Sequence, residues 1–221
     1  MIEIKNIYKK YGKNQVLSGV DLEVEPGQMV GIIGENGSGK STLLTILAGL
    51  QKCDSGFFNM DGKDLLKNAK LRNQLVSYVP QENPLIEELT AWDNLRMWYP
   101  KDRLKKELTD GFLAMLEIDQ FLKVPVSKMS GGMKKRLTIG CAINSKPKLL
   151  LLDEPTAALD LVCKENIYTY FNQFRRQGGS LILATHEVSE IEICNKCCIL
   201  KDGKFSDYRY DGDVPHLIGR L

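Results

Sequence analysis

The 221-residue chain is 43% hydrophobic and 26% charged, the balance of a folded globular protein with one or two domains and a well-buried core. That balance argues against disorder, collagen-like repeats and coiled coil. Its 30 Lys and Arg against 28 Asp and Glu leave a net charge of +2, too weak a field to draw nucleic acid or anionic lipid.

The chain opens with Met1-Ile2-Glu3-Ile4-Lys5-Asn6, which has no apolar stretch of the kind a secretory signal needs. The first third reads as strands. Apolar and polar residues interleave from Val16 to Glu25, Pro26-Gly27 turns the chain, and Met29–Ile33 reads as a fully buried strand. A glycine-rich loop follows. A helix then begins at Ser41, with Leu43, Leu44, Ile46, Leu47 and Leu50 at helical spacing. Phe57–Met60 followed by Asp61-Gly62 signals a hairpin, and Leu75–Val79 a strand stopped by Pro80.

From residue 84 to 145 the strand-like runs vanish. This stretch reads as several helices with Trp92, Trp98, Tyr99, Phe112 and Phe121 in their apolar faces. The α/β texture then returns: a strand at Leu149–Asp153, an amphipathic helix at Leu161–Gln177, strands at Ser180–Thr185 and Cys197–Lys201, and a hairpin turn at Asp202-Gly203. Runs such as Leu149–Leu152 are far too short to cross a bilayer, so the chain reads as soluble and cytosolic. Cys53, Cys141, Cys163, Cys194, Cys197 and Cys198 read as free thiols. Cys194 and Cys197 have ligand spacing, but no second pair or nearby His completes a zinc set.

Two motifs carry chemistry. Gly34-Glu35-Asn36-Gly37-Ser38-Gly39-Lys40-Ser41 fits G-x-x-x-x-G-K-[ST] between a buried strand and a helix. Its glycines let backbone N–H groups curl inward around an anion, and the helix N-terminus adds partial positive charge. Lys40 would neutralise the β- and γ-phosphates of a nucleotide, and the Ser41 hydroxyl would ligate Mg²⁺. No N-K-x-D motif is present, which weighs against a GTPase. The second motif is the apolar strand that ends in Asp153-Glu154. There Asp153 can hold Mg²⁺ while Glu154 orients or deprotonates the attacking water.

Between these motifs lies Met129-Ser130-Gly131-Gly132-Met133-Lys134-Lys135-Arg136, which resembles the signature motif of ABC-type ATPases. Tyr11, Gln81, Ala158-Leu159-Asp160 and His186 follow the same order, and the resemblance runs from Ile2 to about Phe205. It implies an α/β fold: a P-loop NTPase core with a mainly parallel sheet flanked by helices, an N-terminal antiparallel β subdomain and an inserted α-helical subdomain. Residues 1–83 and 146–221 would form the core with its antiparallel part, and 84–145 the insertion that carries the signature.

The resemblance also implies roles. Tyr11 would stack on adenine beside Val16, and Asn36, Gly37, Ser38, Gly39, Lys40, Ser41 and Thr42 would hold the ATP phosphates. Magnesium would be bound by Ser41, Gln81 and Asp153, with Glu154, His186, Gln81 and Lys40 forming the catalytic set. Ser130, Gly131, Gly132 and Asp160 would reach an ATP held by a second copy or a related chain, in a homodimer or heterodimer sandwiching two ATP. The protein would be the ATP-hydrolysing subunit of a transporter, peripheral on the inner face of the cell membrane through separate permease subunits. Leu85, Ile86, Leu89, Trp92, Leu95 and Trp98 offer a docking face for them. Met133, where glutamine is usual, and the Lys-Lys-Arg after it look more like the drug and antibiotic exporter branch. So does the segment Leu122–Val126, which lacks the acidic, glycine-containing loop of exporters with fused membrane domains. A soluble ABC-type ATPase with an assembly or regulatory role is the alternative. Little sequence follows the last hairpin, so no added regulatory domain is expected.

Overall fold

The computed structural model describes residues 1–157 and 159–221; Ala158, part of the Ala158-Leu159-Asp160 run, lies outside the described residues. In chain order the strands are β1 (Ile2–Tyr11), β2 (Asn14–Val24), β3 (Met29–Ile33), β4 (Ser55–Met60) and β5 (Lys63–Asp64), then β6 (Val76–Val79), β7 (Leu149–Asp153), β8 (Ser180–Ala184), β9 (Lys196–Lys201) and β10 (Lys204–Tyr208). The helices are α1 (Lys40–Ala48), α2 (Ala69–Leu75), α3 (Ala91–Arg96), α4 (Lys101–Asp110) and α5 (Phe112–Met115), then α6 (Gly131–Ala142), α7 (Leu161–Arg176), α8 (Val188–Ile193) and α9 (Val214–Arg220).

Two sheets result, as expected. A four-stranded antiparallel sheet has the order β2-β1-β4-β5, and a six-stranded sheet the order β10-β9-β3-β8-β7-β6. In the larger sheet β9, β3, β8, β7 and β6 run parallel, with β10 antiparallel at the edge. Both Asp-Gly pairs close hairpins. Asp61 and Gly62 have φ of 51° and 78°, Asp202 and Gly203 φ of 51° and 73°, the left-handed pairs that a two-residue turn requires.

The parallel strands are buried on both faces, and their side chains alternate between two cores. Leu149, Leu151, Ile182, Ala184, Val30 and Ile32 pack toward α1 and the antiparallel sheet. Leu150, Leu152, Leu181, Leu183 and Met29 pack on the opposite face, against α7 and the helices of residues 84–145. This second core runs unbroken into that helical stretch through Leu95, Leu113, Ile118 and Leu137.

Several sequence expectations are corrected. Helix α1 stops at Gly49, whose φ of 78° caps it, so Leu50 falls outside the apolar face and is 72% exposed. Among the apolar residues of the docking face, Leu95 is fully buried, and Leu85 and Trp92 pack partly against the core. Trp98 turns outward, 55% exposed, while Tyr99 and Phe121 are buried. Leu75 closes α2 and does not open β6. Helices α8 and α9 have no counterpart in the sequence reading. Each is too short to show a periodic apolar face, and only Leu217 of α9 is buried.

The helical stretch packs tightly around Gly140 of α6. Tyr99 Oη donates to Gly140 O at 2.7 Å, and a Cβ at Gly140 would lie 2.7 Å from Ile118 Cδ1 and 2.9 Å from Leu113 Cδ2. Alanine normally favours a helix over glycine by about 1 kcal/mol. Here overpacking, at about 1–3 kcal/mol, is expected to outweigh that gain. Gly140→Ala should therefore lower the urea midpoint of unfolding, and an unchanged or raised midpoint would show that this core has slack.

Candidate active site

The site begins where β3 enters α1. Gly37 and Gly39 have φ of 82° and 106°, a conformation that curls the loop's amides inward and that side-chain-bearing residues resist. A Cβ on Gly39 would also meet Val16 Cγ1 at 2.9 Å. No side chain caps α1, so its first N–H groups are free to meet an anion. Lys40 is 6% exposed, and its ammonium donates to Gly34 O at 2.6 Å and Glu35 O at 3.0 Å.

A continuous line of side chains leads from that ammonium. Lys40 Nζ lies 3.1 Å from His186 Nε2, and His186 Nε2 lies 3.6 Å from Glu154 Oε1. Gln81 Nε2 donates to Glu154 Oε2 at 2.9 Å. Three loops and a helix start, remote in sequence, thus bring Lys40, His186, Glu154 and Gln81 into one contact chain. Glu154 itself has φ of 47°, unfavourable for a side-chain-bearing residue by about 1–3 kcal/mol. Its N–H donates to Ala184 O at 2.9 Å, which holds it there. The left-handed residue breaks the strand's alternation: Asp153 is buried beside Tyr78, whose Oη donates to Asp153 Oδ2 at 3.3 Å, while Glu154 faces the cleft.

That cleft, of about 530 Å³, is lined by Val16, Asn36, Gly37, Gly39, Lys40, Ser41, Thr42, Gln81, Glu154 and His186. Ser38 lines an adjoining cleft with Asn36 and Gly37. Tyr11 stands outside both linings. Its hydroxyl accepts from Gln51, and the Lys9 ammonium lies 5.2 Å from its ring centroid. The Ser41 hydroxyl, the Gln81 amide oxygen and the Asp153 carboxylate are hard oxygen donors, and the set fits Mg²⁺.

Ser130 and Asp160 lie elsewhere on the surface. Ser130 caps α6, accepting from Met133 N at 3.2 Å, and Asp160 caps α7, accepting from Cys163 N at 2.8 Å. The two caps adjoin, since a Cβ on Gly132 would meet Cys163 Sγ at 2.9 Å. Beside them Leu161 and Val162 are 83% and 72% exposed.

Sequence reasoning missed three polar residues around the site. Tyr78 supports Asp153, and burial together with that carboxylate pushes its phenol up. Lys135 is buried, and burial holds its ammonium below the ordinary lysine value against the pull of Asp153, Glu190 and Glu154. Glu190 is fully buried and accepts from Thr156 N at 3.1 Å and Thr156 Oγ1 at 2.5 Å, tying α8 to the turn after Glu154. None has a partner within its own sequence motif, so no local spacing marked them.

The family description "ABC transporter" matches residues 17–157. The chain belongs to this family. This ABC-family chain is 35% identical over 98% of its length to all of the uncharacterized ABC transporter ATP-binding protein YvrO of Bacillus subtilis. It is 34% identical, over 92% of its length and 88% of the relative's, to the probable sulfate/thiosulfate import ATP-binding protein CysA of Chlorella vulgaris. The linearmycin resistance ATP-binding protein LnrL of B. subtilis is 32% identical, over 92% of this chain and 67% of LnrL. In structure, the chain resembles an ATP-binding cassette solved as a dimer in a post-hydrolysis state with ADP and Pi. The TM-score is 0.84 at 28% identity, over 95% of this chain and 98% of the other.

The charges in this ABC-family site set the state of His186. Burial lowers its pKa from 6.5, the Lys40 ammonium lowers it further, and Glu154 opposes both. The imidazole is therefore neutral at pH 7. The unfolded chain takes up this proton at a higher pH than the folded one, so the group's contribution to stability falls as pH drops through 6.5. By NMR, with His216→Gln used for assignment, the His186 ring proton should titrate below 6.5 and move upward in Lys40→Met. A wild-type midpoint above 6.5, or a downward move in that variant, would show that Lys40 does not set this charge balance.

Proposed function

We propose that this chain is the Mg²⁺-dependent, ATP-hydrolysing subunit of an ABC transporter that works through separate permease subunits. The observation that carries the reading is the contact chain Lys40–His186–Glu154–Gln81 at the mouth of the glycine-rich loop. Glu154 acts as general base, taking the proton of a water that attacks the γ-phosphate in line. The Gln81 amide holds one carboxylate oxygen, and neutral His186, whose Nε2 accepts from the Lys40 ammonium, stands beside the other, so the base is aimed before the water arrives. The Lys40 ammonium and the loop amides meet the charge that develops on the phosphate oxygens. Magnesium, held by Ser41, Gln81 and Asp153, supplies further charge neutralisation when bound.

The same reading makes Tyr11 and Val16 the adenine contacts. It gives Asn36, Gly37, Ser38, Gly39 and Thr42 to the phosphates and closes the site across a dimer. Ser130, Gly131, Gly132 and Asp160 are turned to the surface on two adjoining helix N-termini, where a second cassette can meet them. Residues 84–145 act as a unit joined to the core through the Gln81 segment, and its exposed Ile86, Met97 and Trp98 receive the permease. No helix among the described residues is long and apolar enough to cross a membrane, which fits a cytoplasmic chain held at the inner face of the membrane by its partner. Relatives named for import and for resistance are similarly close, at 34% and 32% identity, so export rests on the sequence around the signature: the Met133-Lys134-Lys135-Arg136 run and the form of Leu122–Val126.

Glu154→Gln keeps the size and shape of the side chain and removes the base. It should bind ATP as the wild type does and turn over about a hundredfold or more slowly. Normal turnover in that variant would overturn the assignment. Light scattering of Glu154→Gln should show a monomer without Mg-ATP and a dimer with it. A persistent monomer, with ATP bound, would mean that closure needs a different cassette or the permease.

A further inference from the structure

Two successive turns of α6 grip the segment that carries Gln81. Lys135 Nζ donates to Pro80 O at 3.1 Å and to Gln81 O at 2.9 Å, and Thr138 Oγ1 donates to Asn83 Oδ1 at 3.0 Å. Residues three apart share a helix face, so both side chains leave α6 in one direction. Lys135 is 4% exposed. A lysine is rarely buried unless its charge is met, and here two main-chain carbonyls meet it, with the charges of Asp153, Glu190 and Glu154 close enough to act on it. Because the acceptors are main-chain atoms, the lysine fixes the path of the chain at Gln81 rather than one rotamer of it. The Gln81 side chain then reaches Glu154 Oε2 at 2.9 Å. At the head of the same helix, about 7–8 Å away at helical rise, stands the Ser130 turn. A displacement of that turn therefore moves the carbonyl clamp with it.

We infer that Lys135 is a positioning residue for hydrolysis, locking the Gln81 segment to the helix headed by Ser130 so that the Ser130 turn and Gln81 move together. The inference rests on the ATPase reading above, but it concerns a different residue and a different bond. In this arrangement Gln81 is aligned with Glu154 only while α6 is seated. The Ser130 turn reports its own position to Gln81 through five residues of rigid helix.

The test compares wild type, Glu154→Gln, Lys135→Met and Lys135→Arg by steady-state ATPase kinetics, equilibrium binding of a fluorescent ATP analogue, and hydrogen exchange of residues 80–83. Lys135→Met should lower kcat about tenfold or more, as misplacement of a reacting group does. Its KM and nucleotide affinity should stay within about twofold, and exchange across 80–83 should quicken. Lys135→Arg, whose guanidinium can serve both carbonyls, should recover most of kcat and of the protection. Unchanged kcat and exchange in Lys135→Met, or no recovery in Lys135→Arg, would overturn the inference. Should Lys135→Met fail to fold, Thr138→Val replaces it, with a smaller fall in kcat and the same faster exchange as the supporting result. No change in either would refute the clamp. A wild type without turnover would refute the ATPase reading instead, and the exchange of residues 80–83 would still decide whether Lys135 holds the segment.

Discussion

The site depends on strand adjacency. In the larger sheet β3, β8 and β7 lie side by side and parallel, so the loops that leave their C-terminal ends emerge together. The ladder extends one residue beyond the strands on each side: Thr185 N donates to Ile32 O at 3.1 Å, and Glu154 N to Ala184 O at 2.9 Å. These two backbone bonds set the heights of the glycine-rich loop, the His186 loop and the Glu154 turn relative to one another. The contacts among Lys40, His186 and Glu154 follow from that alignment. Ligands of open α/β sheets gather at this edge for the same reason.

The sheet holds its register because it is dry on both faces. A slip of one residue in β7 would exchange Leu149 and Leu151 with Leu150 and Leu152, and so exchange two cores of different shape. The cost of that exchange keeps Asp153 at the strand's end, buried beside Tyr78. The strained Glu154 then sits where the carboxylate can enter the cleft. Strain at this one residue is tolerated because the ladder bond to Ala184 on one side and the Glu190 bonds to Thr156 on the other leave it no easier path.

Polar burial is concentrated around this edge. Lys40, Lys135, Asp153, Thr156, Thr185 and Glu190 are all buried there. Each of the lysines finds carbonyl oxygens, and Glu190 accepts from the N–H and the hydroxyl of Thr156. Such groups fix geometry at the expense of stability, a trade expected where loops from separate elements must hold side chains in line. The helical stretch joins this arrangement through α6, whose Lys135 and Thr138 reach the segment after β6.

Much of the fold was legible in the sequence, because its signals are local. The alternation within the parallel strands, the two Asp-Gly hairpins, the glycine-rich loop ahead of Lys40 and the texture change at 84–145 each lie within a few residues. The residues expected at the site were named chiefly through resemblance; spacing alone gave only Lys40, Ser41, Asp153 and Glu154. What the tertiary structure decided is whatever depends on partners remote in the chain. Leu95 and Trp98 carry equally apolar side chains three residues apart, yet one is core and the other surface, because only packing against α6 distinguishes them. Lys135 is one of three consecutive basic residues, and its burial comes from carbonyls more than fifty positions earlier. Local pattern determined the elements and the chemistry they carry. The closure of long loops onto a sheet with one permitted register decided which side chains meet.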